Sequence, residues 1–349
     1  MTNIILMTSL LPTTGHADII NFSLELGPTL VIVSGRSHEP VPLNLRIRAL
    51  QEACPEAMIV AHENDDAPQN PEDVDVQEDF WNFWKDVVLS FNSKPSAVVA
   101  SENYGVRMAE ALDVPFVSYD IARALNQAKS TNFRHDPLPN WQNVLPLIKD
   151  FFTIRVTMFG QESVGKTTTS KLVAERLGGL WLPEYAREYL ETVGSEITPE
   201  RMATITKGQA AYQKLAPRKA ERPFVVQDTD LYSTIGYYQL SALTNPIFEN
   251  VSMSQYGQDI ASETASDMYF VLPDNIPFEQ DILRYGGDKR ETSTEFWIKL
   301  LKDHSLPYVE VLQGEGCGTD LYDKVNFIVD KTLSLFWERW DRVKAFERE

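Results

Sequence analysis

Short apolar runs alternate with amphipathic stretches along the first third of the chain. The apolar runs, which are typical of buried strands, are NIILMTS, TLVIVSG, AMIVAH, SAVVA and VPFVSYD. Helix-like patterns lie between several of them, as HADIINFSLEL, PLNLRIRALQEAC and DFWNFWKDVVLSF. Strands that alternate with helices favour a parallel, doubly wound sheet. An acidic, proline-bearing segment from Glu63 to Glu78 is predicted to be an exposed loop.

A second set of strands follows a proline-bearing segment. The stretch RHDPLPNWQNVLPLIKDFF contains three prolines and then a short helix, so we expect a domain boundary near residues 140 to 152. The strand TIRVTMFG begins the second half, and the later strands are PFVVQDTD, DMYFVLP and PYVEVL. The last predicted helix lies at DKVNFIVDKTLSLFWERW. The expected domains, both α/β, are residues 1–150 and 151–349.

Composition narrows the class of protein. The 349 residues carry a net charge of −18, which argues against a general nucleic-acid or anionic-membrane surface. No apolar run approaches the roughly 20 residues that span a bilayer, and the N-terminus lacks the basic region of a signal peptide. Cys54 and Cys317 have no metal-ligand spacing and are interpreted as incidental thiols. We therefore expect a cytoplasmic protein that binds neither nucleic acid nor membrane.

The sequence GQESVGKT, at residues 160 to 167, satisfies the phosphate-binding pattern G-x-x-x-x-G-K-[ST]. A predicted strand precedes it and a predicted helix follows it, as phosphate binding requires. Lys166 is expected to reach the β- and γ-phosphates of ATP, and the Thr167 hydroxyl to bind Mg²⁺. The expected ATP-binding residues of this loop are Gly160, Ser163, Gly165, Lys166, Thr167 and Thr168. The alternative is an ordinary strand–turn–helix with coincidental glycines.

Charged residues after later strands are candidates for the chemistry. Asp228 and Asp230 end an apolar strand, where a carboxylate that orients Mg²⁺ belongs, although either aspartate is also a good helix N-cap. Glu184 and Arg187 in PEYAREY are further candidates, with a surface ion pair as the alternative. The segment DILRYGGDKR suits a cationic lid; its alternative is a solvated basic turn. Its cations are Arg284, Lys289 and Arg290.

The N-terminal half has its own candidate nucleotide site. TTGH, with Thr13, Gly15 and His16, follows the first strand of a doubly wound sheet, the usual nucleotide-binding turn. His16 is expected to stabilise charge on an α-phosphate during adenylyl transfer. KSTNFR comes after the last strand of that half. It is predicted to supply hydroxyl donors to the nucleotide, with the arginine for its outer phosphates. The alternative is the ordinary polar start of a helix. The candidate ligands in KSTNFR are Ser130, Thr131 and Arg134.

Taken together, these motifs resemble the bifunctional NMN adenylyltransferase / nicotinamide riboside kinase family (NadR-type). TTGH is similar to that superfamily's (H/T)-x-G-H, and KSTNFR to its S-x-T-x-x-R, although Lys129 stands where the family usually has the first serine. GQESVGKTT, PEYAREY, QDTD and ILRYGGDKR follow the order of its kinase domain. The chain starts at the predicted catalytic fold, so the N-terminal DNA-binding domain of some members is expected to be lacking.

The resemblance implies a Rossmann-like nucleotidyltransferase domain followed by a P-loop kinase domain. The implied substrates are ATP, NMN and nicotinamide riboside, with Mg²⁺ as cofactor; homo-oligomerisation is left open. The resemblance implies catalytic roles for His16, Lys166, Asp228, Asp230 and Glu184. It implies that the riboside is bound by Glu184, Arg187, Asp228 and Phe278. The implied metal ligands are Thr167 and Asp228, and further implied ATP-binding residues are Arg284 and Arg290. Two alternatives stay open: a phosphopantetheine adenylyltransferase joined to dephospho-CoA kinase, and a riboside kinase with an inactive nucleotide-sensing first domain.

Overall fold

The computed structural model describes residues 2–68, 77–128, 130–274, 293–311 and 320–346. This part of the chain divides into two units: residues up to Phe151 together with those from Trp340 onward, and Phe152–Arg339. Each unit is built on a five-stranded sheet in which all neighbouring strands are parallel. The predicted fold class, two parallel-sheet α/β domains, is confirmed.

The sheet of the first unit has the strand order β3-β2-β1-β4-β5. Its strands are β1 (Thr2–Met7), β2 (Thr29–Gly35), β3 (Met58–Glu63), β4 (Pro95–Ala100) and β5 (Phe116–Ser118). Its helices are α1 (Thr14–Leu26), α2 (Leu43–Ala53), α3 (Gln77–Phe91), α4 (Tyr104–Leu112), α5 (Ser130–His135), α6 (Pro137–Asn140) and α7 (Pro146–Phe152), with a 3₁₀ turn at Trp141–Asn143. The order reverses between β1 and β4, and such a switch point is where open parallel sheets bind ligands.

The apolar runs of the sequence become strands that are covered on both faces. Every residue of β2 is buried. On one side of the sheet, Trp84 and Val88 of α3 and Met108 of α4 pack against Ile4 and Ile32. Because helices cover both faces of a parallel sheet, its strands are continuously apolar, which made them recognisable in the sequence.

The sheet of the second unit has the order β10-β9-β6-β8-β7, with β6 at its centre. Its strands are β6 (Ile154–Phe159), β7 (Leu180–Leu182), β8 (Phe224–Gln227), β9 (Met268–Val271) and β10 (Tyr308–Glu310). Its helices are α8 (Lys166–Leu177), α9 (Tyr185–Val193), α10 (Pro199–Lys219), α11 (Leu231–Thr244), α12 (Gln255–Glu263), α13 (Thr294–Asp303) and most of α14 (Leu321–Lys344), with a 3₁₀ turn at Pro246–Phe248. None of the described helices combines the length and apolar character needed to cross a bilayer.

Two further segments belong to the first unit. The proline-bearing segment before Phe152 is part of the first unit: Trp141 is fully buried, and the backbone N–H of Leu145 donates to the carbonyl of Pro12. The prolines there separate short helical turns. The end of α14 also belongs to the first unit. There the centroid of the Trp340 ring lies 4.9 Å from the centroid of the Phe133 ring.

Candidate functional site

The glycine loop of the second unit joins β6 to α8. Gly160 and Gly165 adopt φ angles of +127° and +85°, and Ser163 lies between them at +58°. These left-handed positions suit glycine and are uncommon for other residues. They bend the backbone between a strand and the start of a helix, the arrangement in which N–H groups and the helix dipole attract phosphate. The structure therefore forms the strand–turn–helix that the sequence predicts for a phosphate-binding loop.

Polar groups converge inside this loop. The Lys166 ammonium donates to the carbonyls of Gly160, at 3.0 Å, and Gln161, at 2.8 Å. The Gln161 side chain is buried, and its Nε2 has no hydrogen-bond partner among the described residues. A buried amide donor beside a lysine suits an anion. Thr168 is exposed on the first turn of α8.

Asp228 meets Thr167 because β6 and β8 are neighbours, with Thr157 opposite Gln227. The Thr167 hydroxyl donates to Oδ2 of Asp228 at 2.7 Å. Asp228 is only 2% exposed, and its Oδ1 has no hydrogen-bond partner among the described residues. Burial raises the pKa of Asp228, while the Thr167 hydrogen bond and the Lys166 charge oppose the rise. One carboxylate oxygen is therefore used locally, and the other remains to interact with a ligand.

Glu184 follows β7, the neighbour of β8, and precedes the first residue of α9. Burial and the nearby Asp228 carboxylate raise the pKa of Glu184 to about 7, against the opposing charges of Lys166 and Arg187. Arg187 also opposes the rise in the pKa of Asp228. Glu184, Asp228, Lys166 and Arg187 are therefore close enough to influence one another electrostatically. A carboxyl group that titrates near neutral pH is suited to proton transfer.

Asp230, a second aspartate predicted to be catalytic, has a structural position. It is fully buried and caps α11: its Oδ1 accepts from the backbone N–H of Ser233 at 3.0 Å, and its Oδ2 accepts from the Tyr269 hydroxyl at 2.6 Å. Both oxygens are thus occupied by the fold. The capping alternative, which the sequence also offered, fits this geometry better than a role as base.

Several predicted positions lie outside the described residues. These are Phe278, Arg284, Lys289 and Arg290 in the second half, and Lys129 at the start of KSTNFR. The cationic lid, the aromatic partner of the pyridine and the effect of Lys129 therefore stay predictions.

In the first unit, Thr13 and His16 form the N-terminal cap of α1. The backbone N–H of Thr13 donates to Nδ1 of His16 at 3.1 Å, and the Thr13 hydroxyl lies 2.9 Å from the same nitrogen. A backbone N–H can only donate, so Nδ1 is the acceptor nitrogen and the ring proton lies on Nε2. His16 is thus oriented as a neutral donor at the carboxyl end of β1.

Gly15 brings TTGH and KSTNFR together. A Cβ atom at residue 15 would lie 2.8 Å from the carbonyl oxygen of Ala128, so only glycine accepts this close approach without movement. The backbone N–H of Leu11 donates to the Ser130 hydroxyl at 3.3 Å. Each motif is therefore in contact with the residues that directly precede the other, which places the two motifs close together.

The other residues of KSTNFR are placed less directly. Thr131 is exposed on α5. The Arg134 guanidinium, predicted to bind outer phosphates, donates to the carbonyl of Phe346 at 3.4 Å. The structure therefore gives Arg134 a partner from the C-terminal segment.

Sequence reasoning missed two buried polar residues beside these sites. Arg46 is fully buried, forms an ion pair with Glu39 and donates to the carbonyl of Thr8, at the end of β1. Gln209 lies on the buried face of α10. No motif marks either residue; the available signal was a polar side chain at helical spacing among apolar ones.

Comparison with known proteins supports the fold and the resemblance. A family model described as "AAA domain" matches residues 155–316, which contain the glycine loop, Glu184 and Asp228. The trifunctional NAD biosynthesis/regulator protein NadR of Salmonella typhimurium is 24% identical over 253 residues, or 68% of this chain and 58% of that protein. The NadR protein of Escherichia coli is 24% identical over 66% of this chain and 57% of that protein. The chain thus spans under two thirds of the length of these relatives.

Two solved structures share the fold. A NadR protein crystallised with NAD and AMP-PNP has a TM-score of 0.65 and 21% identity, covering 100% of this chain and 98% of that one. A NadR protein crystallised with NR has a TM-score of 0.63 and 20% identity, covering 95% and 96%. The motifs, the curated relatives and this shared two-domain architecture lead to one conclusion: the chain is homologous to the NadR proteins.

Proposed function

We propose that the second unit transfers the γ-phosphoryl group of ATP to the 5′-hydroxyl of nicotinamide riboside, forming NMN and ADP. The observation that carries this proposal is the meeting of Lys166, Thr167, Asp228 and Glu184 after three neighbouring strands, β6, β8 and β7. Homologous proteins are named for NAD biosynthesis, and one was crystallised with NR, which supports the choice of acceptor.

In this reaction the 5′-oxygen attacks the γ-phosphorus, and the bond from that phosphorus to the β–γ bridging oxygen breaks. Glu184 accepts the hydroxyl proton, since its pKa of about 7 leaves it both available as a base and able to hold the proton. Lys166 and the N–H groups of the glycine loop stabilise the charge on the phosphate oxygens. Arg187 lies close enough to influence both carboxylates and is a candidate to bind the riboside.

The residues present fit Mg²⁺. The Thr167 hydroxyl and the buried Oδ1 of Asp228, which has no hydrogen-bond partner among the described residues, are the oxygen ligands that this ion prefers. Mg²⁺ takes few protein ligands, so two side chains suffice beside nucleotide phosphates. When bound there, the ion supplies charge neutralisation for the phosphates. We therefore assign Asp228 the role of Mg²⁺ ligand and Glu184 the role of the base that accepts the hydroxyl proton.

For the first unit we propose adenylyl transfer from ATP to NMN, which yields NAD and pyrophosphate. A phosphate oxygen of NMN attacks the α-phosphorus, and the bond to the α–β bridging oxygen breaks as pyrophosphate leaves. His16, whose Nδ1 accepts from Thr13, offers its Nε2–H to the developing charge. The outer phosphates are assigned to Ser130, Thr131 and Arg134. No side-chain nucleophile is needed for this transfer; alignment and charge stabilisation suffice.

Product analysis tests both proposals. The purified protein is incubated with ATP, Mg²⁺ and either nicotinamide riboside or NMN, and the nucleotides are separated by chromatography. NAD from both substrates is the expected result. NMN that accumulates from the riboside, with no NAD from NMN, would leave a kinase with an inactive first unit. If neither product forms, both proposals are wrong and CoA precursors become the substrates to test.

A further inference from the structure

Gln209 connects two segments of the second unit. Its side chain lies on the buried face of α10 and is only 2% exposed. Oε1 accepts a hydrogen bond from the backbone N–H of Tyr185 at 3.1 Å, and Nε2 donates to the carbonyl of Thr229 at 3.2 Å. One partner can only donate and the other can only accept, so together they define the orientation of the amide.

The two segments that Gln209 joins are those that carry the candidate carboxylates. Tyr185 directly follows Glu184, and Thr229 directly follows Asp228. A single amide therefore links the backbone beside the proposed base to the backbone beside the proposed metal ligand. We propose that Gln209 is a positioning residue of the kinase reaction, which sets the distance between the Glu184 and Asp228 carboxylates. This inference rests on the proposed kinase function.

The distance between these carboxylates matters for two reasons. The base must reach the hydroxyl while the metal ligand keeps its place beside the phosphates, so both carboxylates must be held in position at the same time. The hydroxyl and the phosphate must also meet at a reacting distance, and an error of about 1 Å in such a geometry can cost about 100-fold in rate.

The same turn of α10 supports Tyr185 by packing. Gly208 directly precedes Gln209, and a Cβ atom at residue 208 would overlap the Tyr185 ring. The ring therefore packs directly on the α10 backbone. Backbone hydrogen bond and ring contact together hold the residue next to Glu184 from one side.

The chain offers a matched control one helical turn further along α10. Gln213 is 1% exposed; its Oε1 accepts from the backbone N–H of Leu231 at 2.8 Å, and its Nε2 donates to the Thr264 hydroxyl at 2.9 Å. It is as buried and as fully bonded as Gln209, but its partners are not adjacent to Glu184 or Asp228. Substitution of Gln213 therefore measures the loss of stability that comes from removing the hydrogen bonds of any buried glutamine on this helix.

The test compares Gln209→Met, Gln213→Met and the wild-type full chain. Thermal unfolding, the KM for ATP and kcat for NMN formation are measured at a temperature at which all three proteins are folded. In Gln209→Met we expect kcat to fall about 10- to 100-fold, with a smaller change in the KM for ATP. In Gln213→Met we expect a loss of thermal stability with the wild-type kcat.

The remaining outcomes decide against the proposal. A wild-type kcat in Gln209→Met would overturn it, and so would an equal fall of kcat in both variants. If Gln209→Met does not fold, Gln209→Glu carries the test, because its carboxylate keeps the acceptor for Tyr185 but cannot donate to the Thr229 carbonyl; a wild-type kcat there is the contrary result. A wild-type protein that forms no NMN would instead refute the proposed kinase function.

Discussion

The Thr167 hydroxyl donates a 2.7 Å hydrogen bond to Asp228, joining the first turn after the glycine loop to the end of the neighbouring strand. It occupies one oxygen of a nearly buried carboxylate, and the other oxygen has no hydrogen-bond partner in the described chain. The two aspartates of the QDTD segment therefore differ in how their carboxylate oxygens are bonded. Asp228 has an oxygen left for a ligand, while Asp230 uses both of its oxygens within the fold.

This difference predicts opposite effects for two matched substitutions. Asp228→Asn should lower kcat for NMN formation about 100-fold or more, without loss of thermal stability, because it removes a buried charge. Asp230→Asn should lower the free energy of unfolding by about 1–3 kcal/mol, because one of its hydrogen-bond donors loses an acceptor. Steady-state kinetics and thermal unfolding are measured for both variants. Loss of kcat in a fully stable Asp230→Asn protein would contradict the assignment.

The pKa of Glu184 predicts a pH profile. As base, Glu184 must be deprotonated, so kinase activity should rise with pH around a midpoint near 7 and fall at least about 100-fold in Glu184→Gln. The exposed Glu175 of α8 supplies a control, Glu175→Gln, which should keep the wild-type profile. A profile without a transition near neutral pH would exclude Glu184 as the base.

The raised pKa of Glu184 also predicts how the stability of the folded protein changes with pH. The folded protein binds the Glu184 proton more tightly than the unfolded chain, so stability falls as pH rises from the ordinary value of 4.5 through about 7. Glu184→Gln removes this cost. Its unfolding temperature should exceed that of wild type above about pH 7 and approach it near pH 4.5. An equal difference at both pH values would show that the carboxyl charge is not responsible.

His16→Ala should reduce NAD formation from NMN about 100- to 1,000-fold, since it removes a donor aimed at developing charge. Kinase activity in the same preparation serves as an internal reference and should be unchanged. His135→Ala, at an exposed position on α5, is the matched control. Equal rates for His16→Ala and wild type would show that His16 takes no part in adenylyl transfer.

Gly15→Ala tests the close approach of TTGH to Ala128, which lies just before KSTNFR. The added methyl group would meet the Ala128 carbonyl at 2.8 Å, so the segment that enters α5 must move. We expect a loss of about 1–3 kcal/mol in the stability of the first unit and slower NAD formation. Asn21→Ala, at an exposed position of the same helix, should leave both unchanged. Wild-type behaviour of Gly15→Ala would mean that the segment moves without cost.

Local sequence patterns predicted much of the fold and the glycine loop of the candidate site in the second unit. The strands were recognisable because both faces of each parallel sheet are covered, which leaves continuous apolar runs such as β2. The glycine loop was recognisable because its positive φ angles favour glycine at Gly160 and Gly165. In both cases the requirement acts on residues that are adjacent in the chain.

Features that depend on distant residues were beyond sequence reasoning. Asp230 and Asp228 are two residues apart in one segment, and the difference between them comes from Tyr269 and Thr167. Gln209 matters through Tyr185 and Thr229, which no spacing rule connects to it. Similarly, the Arg134 side chain donates to the carbonyl of Phe346, which lies 212 residues further along the chain.

The end of α14 has a consequence for how the two halves can be separated. Trp340 belongs to the first unit, where its ring packs on Phe133 and its Nε1 donates to the carbonyl of Arg134. In chain topology the second unit is thus an insertion within the first. A single cut near residue 151 would separate the second unit from the residues before it, but would remove an aromatic ring from the core of the first unit. A first unit that folds alone would need residues 340 to 346 joined after Phe151.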